Sequence, residues 1–283
     1  MALAALALLT AACGDASSIT GATSRSDLDA ALSRSADFAV LANAAATCTD
    51  GSIVGDVGTF QATPTGSFTQ TRCPVTGSIH IGDGAAISAY NAFLATYAAL
   101  APMPGDSCTM LSGTLDGVTL APGTYCFDAA AALTGTLTLA GPSNGSWLFK
   151  VGTSGTGALT GTNFSVVLAS RAQACNVTWW VAEAATMTTS NFVGSILAGA
   201  AITLTGGSFE GNVWSKADVT ITGTALTGCE GTNGRGNGAD QDKCNQGVGN
   251  GSEGCDPGNS NHRRPSNDET GGTPGNPARR GGR

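Results

Sequence analysis

The clearest pattern along the chain is an alternation with period two. Ala185-Thr186-Met187-Thr188, Ile202-Thr203-Leu204-Thr205 and Val219-Thr220-Ile221-Thr222 each place apolar residues and Thr at alternate positions. Successive side chains of a strand point to opposite faces, so each segment reads as a strand with one apolar face and one Thr face. The segments belong to a repeat of 17 residues, in which Asn191 to Gly207 lies over Ser208 to Thr224 without a gap. Phe192 then falls on Phe209, Gly194 on Gly211, Ile196 on Val213 and Ile202 on Val219. One step further back, Trp179, Ala185, Thr186, Met187 and Thr188 occupy the matching columns.

A repeat this short, with strand-forming residues and Gly at its joints, predicts a β-solenoid whose coils stack at about 4.8 Å. Ala185/Ile202/Val219 and Met187/Leu204/Ile221 are the expected inward ladders. Thr186/Thr203/Thr220 and Thr188/Thr205/Thr222 are the expected outward columns. Ala184/Ala201/Asp218 and Ser190/Gly207/Thr224 would flank them on the outside, so that Asp218 alone brings a charge. Ser112 to Leu120, Leu133 to Leu139, Trp147 to Val151 and Asn163 to Ala169 read as further strands at uneven spacing, which predicts coils of unequal length. Thr160-Gly-Thr-Asn163 has the look of another rung, but its spacing from Thr186 does not place it.

One segment has a helical period instead. From Gly84 to Leu100, Ile87, Tyr90, Leu94 and Tyr97 recur at helical spacing with Ala between them. Trp180/Leu197/Trp214 form an outward strip one residue from the inward Trp179/Ile196/Val213 ladder. So bulky a strip calls for a cover, and the helix or a neighbouring loop is expected to supply it. His80, just before the helix, reads as a packing or capping residue.

Composition supports this all-β-dominated reading. Of 283 residues 41 are Gly and only 12% are charged, about half the usual charged share. The net charge of −7 and the lack of a basic cluster exclude a nucleic-acid partner. The two His, His80 and His262, leave little from which to build a triad or a His-rich metal site. Asp56, Asp83, Asp106, Asp116, Asp128, Glu183, Glu210 and Asp218 are scattered, and only Asp218 has a basic neighbour on its coil, Lys216. No enzyme activity, metal or cofactor is expected.

The first 13 residues form an apolar run ending in small residues and Cys13, as at the cleavage site of an export signal. They resemble a bacterial lipoprotein signal, which implies lipidation of Cys13 and a membrane anchor. The segment lacks a basic residue ahead of the run, and Leu9 stands one place too far from Cys13, so a plain signal cut near Ala12 or Cys13 is the alternative. Residues 14–35 read as a linker, 36–229 as the solenoid domain and 230–283 as a disordered Gly/Asn-rich tail. The acidic residues of that tail do not match a calcium loop.

Setting Cys13 aside leaves eight Cys, an even number that in an exported chain reads as disulfides. Eight Cys allow 105 pairings. Short loops favour Cys48–Cys73, Cys108–Cys126 and Cys244–Cys255, which leaves Cys175 with Cys229. Zinc would need a close C-x-x-C pair, which is missing.

Taken in order, Phe38-Ala-Val-Leu-Ala42, Ile53 to Gly58, Val75 to His80, Leu120 to Cys126, Leu133 to Leu139, Trp147-Leu-Phe-Lys150, Ala174 to Trp179 and Phe192 to Ala198 resemble the secreted microbial ice-binding proteins. The resemblance covers Ala36 to Cys229. It implies a right-handed, discontinuous, triangular β-solenoid with one long α-helix packed alongside, acting as a monomer outside the cell with an ice crystal surface as partner. On that basis the Thr186, Thr188, Thr203, Thr205, Thr220 and Thr222 grid is the expected ice face, giving antifreeze or ice-recrystallisation-inhibition activity. Thr is also simply common on outward β-surfaces, and another face of the family fold could meet ice instead. The alternative function is a non-catalytic cell-surface adhesion or structural module on the same fold.

Overall fold

An extended strand cannot pair its own N–H and C=O groups, so each predicted strand must find partners on the coils above and below. The computed structural model describes residues 37–103 and 105–229. The expectations for the export segment and Cys13, the linker 14–35 and the tail with Cys244 and Cys255 fall outside those residues.

Among the described residues the chain forms a β-solenoid of parallel strands with three faces. Along the first face the order is β6 (Ile79–Ile81), β4 (Asp56–Thr59), β1 (Phe38–Ala42), β17 (Val213–Ser215), β15 (Ser195–Ala198), β13 (Val177–Val181), β11 (Trp147–Val151), β9 (Gly123–Phe127) and β7 (Thr109–Met110). Along the second it is β5 (Ser67–Thr71), β2 (Ala45–Thr49), β18 (Val219–Thr222), β16 (Ile202–Glu210), β14 (Ala185–Val193), β12 (Leu159–Ala169) and β10 (Ala131–Ala140). The long strands bend: β16 meets β18 through residues 202–205 but β19 (Ala225–Thr227) through 208–210. Their second halves, with β19, β3 (Ser52–Val54) and β8 (Thr119–Leu120), make the third face.

The stacking order is not the chain order. β1 lies between β4 and β17, and β2 between β5 and β18, so the first coils of the sequence cap the last. The chain reaches the other end through α1 (Gly84–Leu100), which packs against β1, β4, β6 and β15. Asp83 starts this helix by accepting the Ala86 N–H at 2.9 Å, and its other carboxylate oxygen holds His80 Nδ1 at 2.7 Å. His80 also meets the Phe38 ring edge-on. Pro102 follows the C-cap Ala101, where a helix cannot continue.

The expected cover is present, but the helix is rotated from the expected face. Trp180, Leu197 and Trp214 are buried beneath Ala86, Ala89, Tyr90, Phe93 and Tyr97. Ile87 is 37% exposed and Leu94 only partly buried. The reason is steric: Ala86 and Ala89 let the helix backbone approach a sheet face already filled by two indoles, which a stripe led by Ile87 and Leu94 would hold off. Trp180 Nε1 donates to Tyr97 O at 2.9 Å, and Tyr97 OH donates to Val181 O at 3.0 Å, so both amphipathic side chains find polar partners.

Inside the solenoid the ladders run as expected. Ala185, Ile202 and Val219, and Met187, Leu204 and Ile221, are in register and buried. Tyr125, Phe149 and Trp179 stack at 5.5 and 3.9 Å, and Phe192 stacks on Phe209 at 5.4 Å. Disulfides join Cys48 to Cys73, Cys108 to Cys126 and Cys175 to Cys229. Closing loops of this size stabilises by roughly 3–4 kcal/mol each through the unfolded chain.

Candidate functional site

The second face carries an array larger than the three coils visible in sequence. Thr160 is in register with Thr186, which is followed by Thr203, Thr220, Thr47 and Thr69. In parallel run Thr162, Thr188, Thr205, Thr222, Thr49 and Thr71. Six successive rungs thus share one Thr-x-Thr pattern; the middle residue is buried in five of them, Gly161, Met187, Leu204, Ile221 and Cys48, while Gln70 of the outermost rung is exposed and donates to Cys73 O.

The rung Thr160/Thr162 could not be placed from sequence because β12 and β14 are offset by a longer coil and the inward residue is Gly. The space it leaves is filled from the next coil: a Cβ at Gly161 would lie 2.6 Å from Met187 Sδ. Thr47, Thr49, Thr69 and Thr71 were missed altogether. Thr47-Cys-Thr-Asp50 and Thr69-Gln-Thr-Arg72 do carry the spacing and could have been found by a search for it. Nothing local says that they adjoin Thr220 and Thr222.

All six rungs end in the same way. The residue after the second Thr takes a left-handed conformation, with φ of 46° at Arg72, 54° at Asp50, 63° at Gly223, 66° at Gly206, 48° at Thr189 and 49° at Asn163. This breaks the alternation and turns the chain onto the third face. It also overturns one expectation: Ser190 and Thr224 do not flank the grid outside but are turned inward, each 2% exposed. Ser190 Oγ donates to Thr188 O and accepts from Phe164 N, while Thr224 Oγ1 donates to Gly206 O. Both hydroxyls therefore tie corners together.

The Thr hydroxyls of the array differ from those at the corners. Among the described residues, only Thr160 of the twelve bonds to protein, donating to Ala131 O at 3.3 Å. The others are left for solvent. The columns contain no charged side chain. Asp218, at their flank, is occupied in accepting Ala45 N–H at 2.9 Å. At one end of the corner, Arg72 and Asp50 form a two-pronged ion pair at 2.5 and 2.8 Å. The Arg72 bond holds the Asp50 carboxyl below its ordinary range.

The other faces are different surfaces. The first is overlaid by α1 and, beyond it, by the loop in which Asp106 binds Lys150 Nζ at 2.7 Å. The third exposes Glu210 and Val167, and its Asn191 and Ser208 bond each other. Only the second combines a regular register, one small side-chain type and hydroxyls without protein partners. Six rungs spaced at about 4.8 Å, with Thr pairs about 6.6 Å apart along each strand, give a rectangular array roughly 24 Å long. Among the described residues the array presents hydroxyls and methyl groups in a regular lattice.

Residues 40–227 match the family model described as ice-binding-like. An ice-binding protein of Nostoc sp. (strain HG1) is 35% identical over 177 residues, covering 60% of this chain and 62% of that protein. An ice-binding protein of Flavobacterium frigoris (strain PS1) is 32% identical over 188 residues, covering 60% and 66%. The matched region thus spans about three fifths to two thirds of these curated relatives. The crystal structure of an ice-binding protein from the Antarctic ascomycete Antarctomyces psychrotrophicus superimposes with a TM-score of 0.61 at 28% identity, over 69% of this chain and 96% of that one. With a family model matched across nearly the whole described domain and its solenoid shared with that structure, the chain belongs to the ice-binding-like family.

Proposed function

We propose that this protein binds ice through the second face, and that Thr47, Thr49, Thr69, Thr71, Thr160, Thr162, Thr186, Thr188, Thr203, Thr205, Thr220 and Thr222 form the contact. The observation that carries this is the pair of six-membered Thr columns whose hydroxyls, Thr160 apart, bond to no protein group among the described residues. Ice offers a rigid lattice of oxygen atoms, so its ligand must be rigid and must hold water in a compatible order before contact. A parallel solenoid supplies the rigidity. Each Thr supplies a hydroxyl to anchor water and a β-methyl that restricts its rotamers, so little side-chain entropy remains to be lost on docking. A charged group in the columns would hold its own hydration shell against the lattice.

On this reading the protein acts outside the cell as a monomer without catalysis, exported by the signal that ends near Cys13 and then either released or held at the cell surface through lipidation of Cys13. The direct test is grain growth in a polycrystalline ice film. Micromolar full-length protein is expected to arrest growth, and Thr203→Tyr to abolish the arrest while the thermal transition stays in place. Unchanged growth with the unmutated protein would overturn the reading.

A further inference from the structure

The six Thr rungs are not equally held. Five of their strands, β12, β14, β16, β18 and β2, each lie between two others in the second face. β5, which carries Thr69 and Thr71, is the end strand of that sheet among the described residues and pairs with β2 alone. Its inward side is weak as well. Phe68 is only half-buried, and Gln70 is exposed where the other rungs have a buried middle residue. A strand bonded along one edge and seated on little apolar surface frays readily, and a Thr pair that moves loses the order it must offer to ice.

The end of this strand is gripped from both sides. Outward, the Arg72 guanidinium meets the Asp50 carboxylate of the neighbouring rung in the two-pronged pair, at 2.5 and 2.8 Å. Inward, Cys73 is buried and joined to Cys48, the middle residue of that same rung. Between these two ties the Asp50 N–H donates to Thr71 O at 2.9 Å, so Thr71 is held through its own carbonyl and through both residues that follow it. The two charged residues occupy corner positions that the other four rungs fill with Asn163, Thr189, Gly206 and Gly223. Charge is thus placed at this corner only toward the open end of the array. Exposed ion pairs usually contribute little, but a two-pronged Arg–carboxylate pair between adjacent, hydrogen-bonded backbones has the geometry that does. Pairing also leaves no net charge to hold a separate hydration shell beside the Thr columns.

Resting on the ice-face reading, we infer that Arg72 and Asp50 are positioning residues of the ice site: their ion pair, backed by Cys48–Cys73, holds Thr69 and Thr71 in line with the other five rungs and so sets the length of array that meets ice. They act through the backbone of the Thr pairs they follow, not by contact with ice.

The test uses the full chain and measures the lowest concentration that arrests grain growth in a polycrystalline ice film, with the thermal transition followed in parallel. Arg72→Glu, which sets two like charges at the corner, is expected to raise that concentration roughly two- to fivefold while the main transition stays in place. The exchanged pair Asp50→Arg/Arg72→Asp is expected to bring it back. In a Thr69→Tyr background, where the outermost rung is already lost, Arg72→Glu is expected to add nothing, because both changes act on the same rung. A pair that served the fold alone would instead add its effect in both backgrounds. The inference is overturned if Arg72→Glu leaves the arresting concentration unchanged, if the exchange brings no recovery, if Thr69→Tyr has no effect, or if the two changes add. If the unmutated protein does not arrest growth, or Thr203→Tyr arrests it equally well, it is the ice-face reading that fails. Should Arg72→Glu not fold, Arg72→Gln, which removes the pair without repulsion, is read by the same criteria.

Discussion

Asp218 Oδ1 accepts a hydrogen bond at 2.9 Å from the backbone N–H of Ala45, 173 residues away in the chain. This contact sits at the head of the seam where β18 meets β2, and two residues further along each strand Thr220 lies beside Thr47. The last coil of the repeat is thereby continued by the first coil of the domain. Removing the acceptor should be felt in stability first: Asp218→Ala leaves the Ala45 N–H without its partner and is expected to cost about 1 kcal/mol, measured by denaturant unfolding.

The extent of the face is open to mutation at its two ends. If the outermost rungs belong to it, Thr69→Tyr and Thr160→Tyr should weaken the arrest of ice grain growth as Thr203→Tyr does, whereas Ser208→Tyr on the third face should leave it unchanged. All four positions are outward, so thermal unfolding is expected to move little. Loss of activity in the Ser208 variant alone would transfer the site to the third face.

Backbone conformation at the corner makes a separate prediction about stability. Thr189 is β-branched yet has φ of 48°, which costs roughly 1–2 kcal/mol in an L-residue. Thr189→Gly relieves it and is expected to stabilise by about 0.5–1 kcal/mol after the entropic cost of Gly. Gly207 is the opposite case, because a Cβ there would lie 2.1 Å from Ser190 O and φ is 78°. Gly207→Ala should prevent folding or lower the melting temperature sharply.

Acid should loosen the helix start. The Asp83 carboxyl is held below its ordinary value by the Ala86 N–H and by His80. A carboxyl whose folded pKa is depressed adds stability above its unfolded pKa and loses it as pH falls through the folded one. The melting temperature is therefore expected to drop below about pH 4, and Asp83→Asn should flatten that drop while lowering the plateau at neutral pH.

At alkaline pH the tyrosines under the helix report its seating. Burial raises the phenols of Tyr90 and Tyr97 to about 12, and raises Tyr125 as well. These three are all the Tyr of the chain, so phenolate absorbance should not develop near pH 10 in the folded protein. Because the unfolded chain ionises first, stability is full below about pH 10 and falls as pH rises toward 12. Phe93→Ala, which opens a cavity between α1 and Trp214, is expected to cost about 3–5 kcal/mol and to bring the Tyr90 and Tyr97 titrations back toward their ordinary range.

Sequence alone determined what local chemistry can determine. Alternation in Ile202-Thr-Leu-Thr205 gave the inward and outward columns, and the 17-residue spacing gave the stacking of three coils. The Ala-rich period gave the helix within its observed bounds, and the bare Trp180/Leu197/Trp214 strip demanded its cover. These features depend on neighbours a few residues apart, or on one short repeat, so they are written in consecutive positions. Tertiary structure decided the rest. Which helix face is buried depended on room above two indoles, and favoured Ala86 and Ala89 over Ile87 and Leu94. Ser190 and Thr224 turned inward because a left-handed residue interrupts the strand. The full extent of the Thr face was decided by the chain returning its first coils to its last. Stacking of β2 on β18 requires only complementary backbone edges, which any strand presents, so no side-chain pattern announces it. Twelve Thr become one surface through a pairing that their sequence positions do not record.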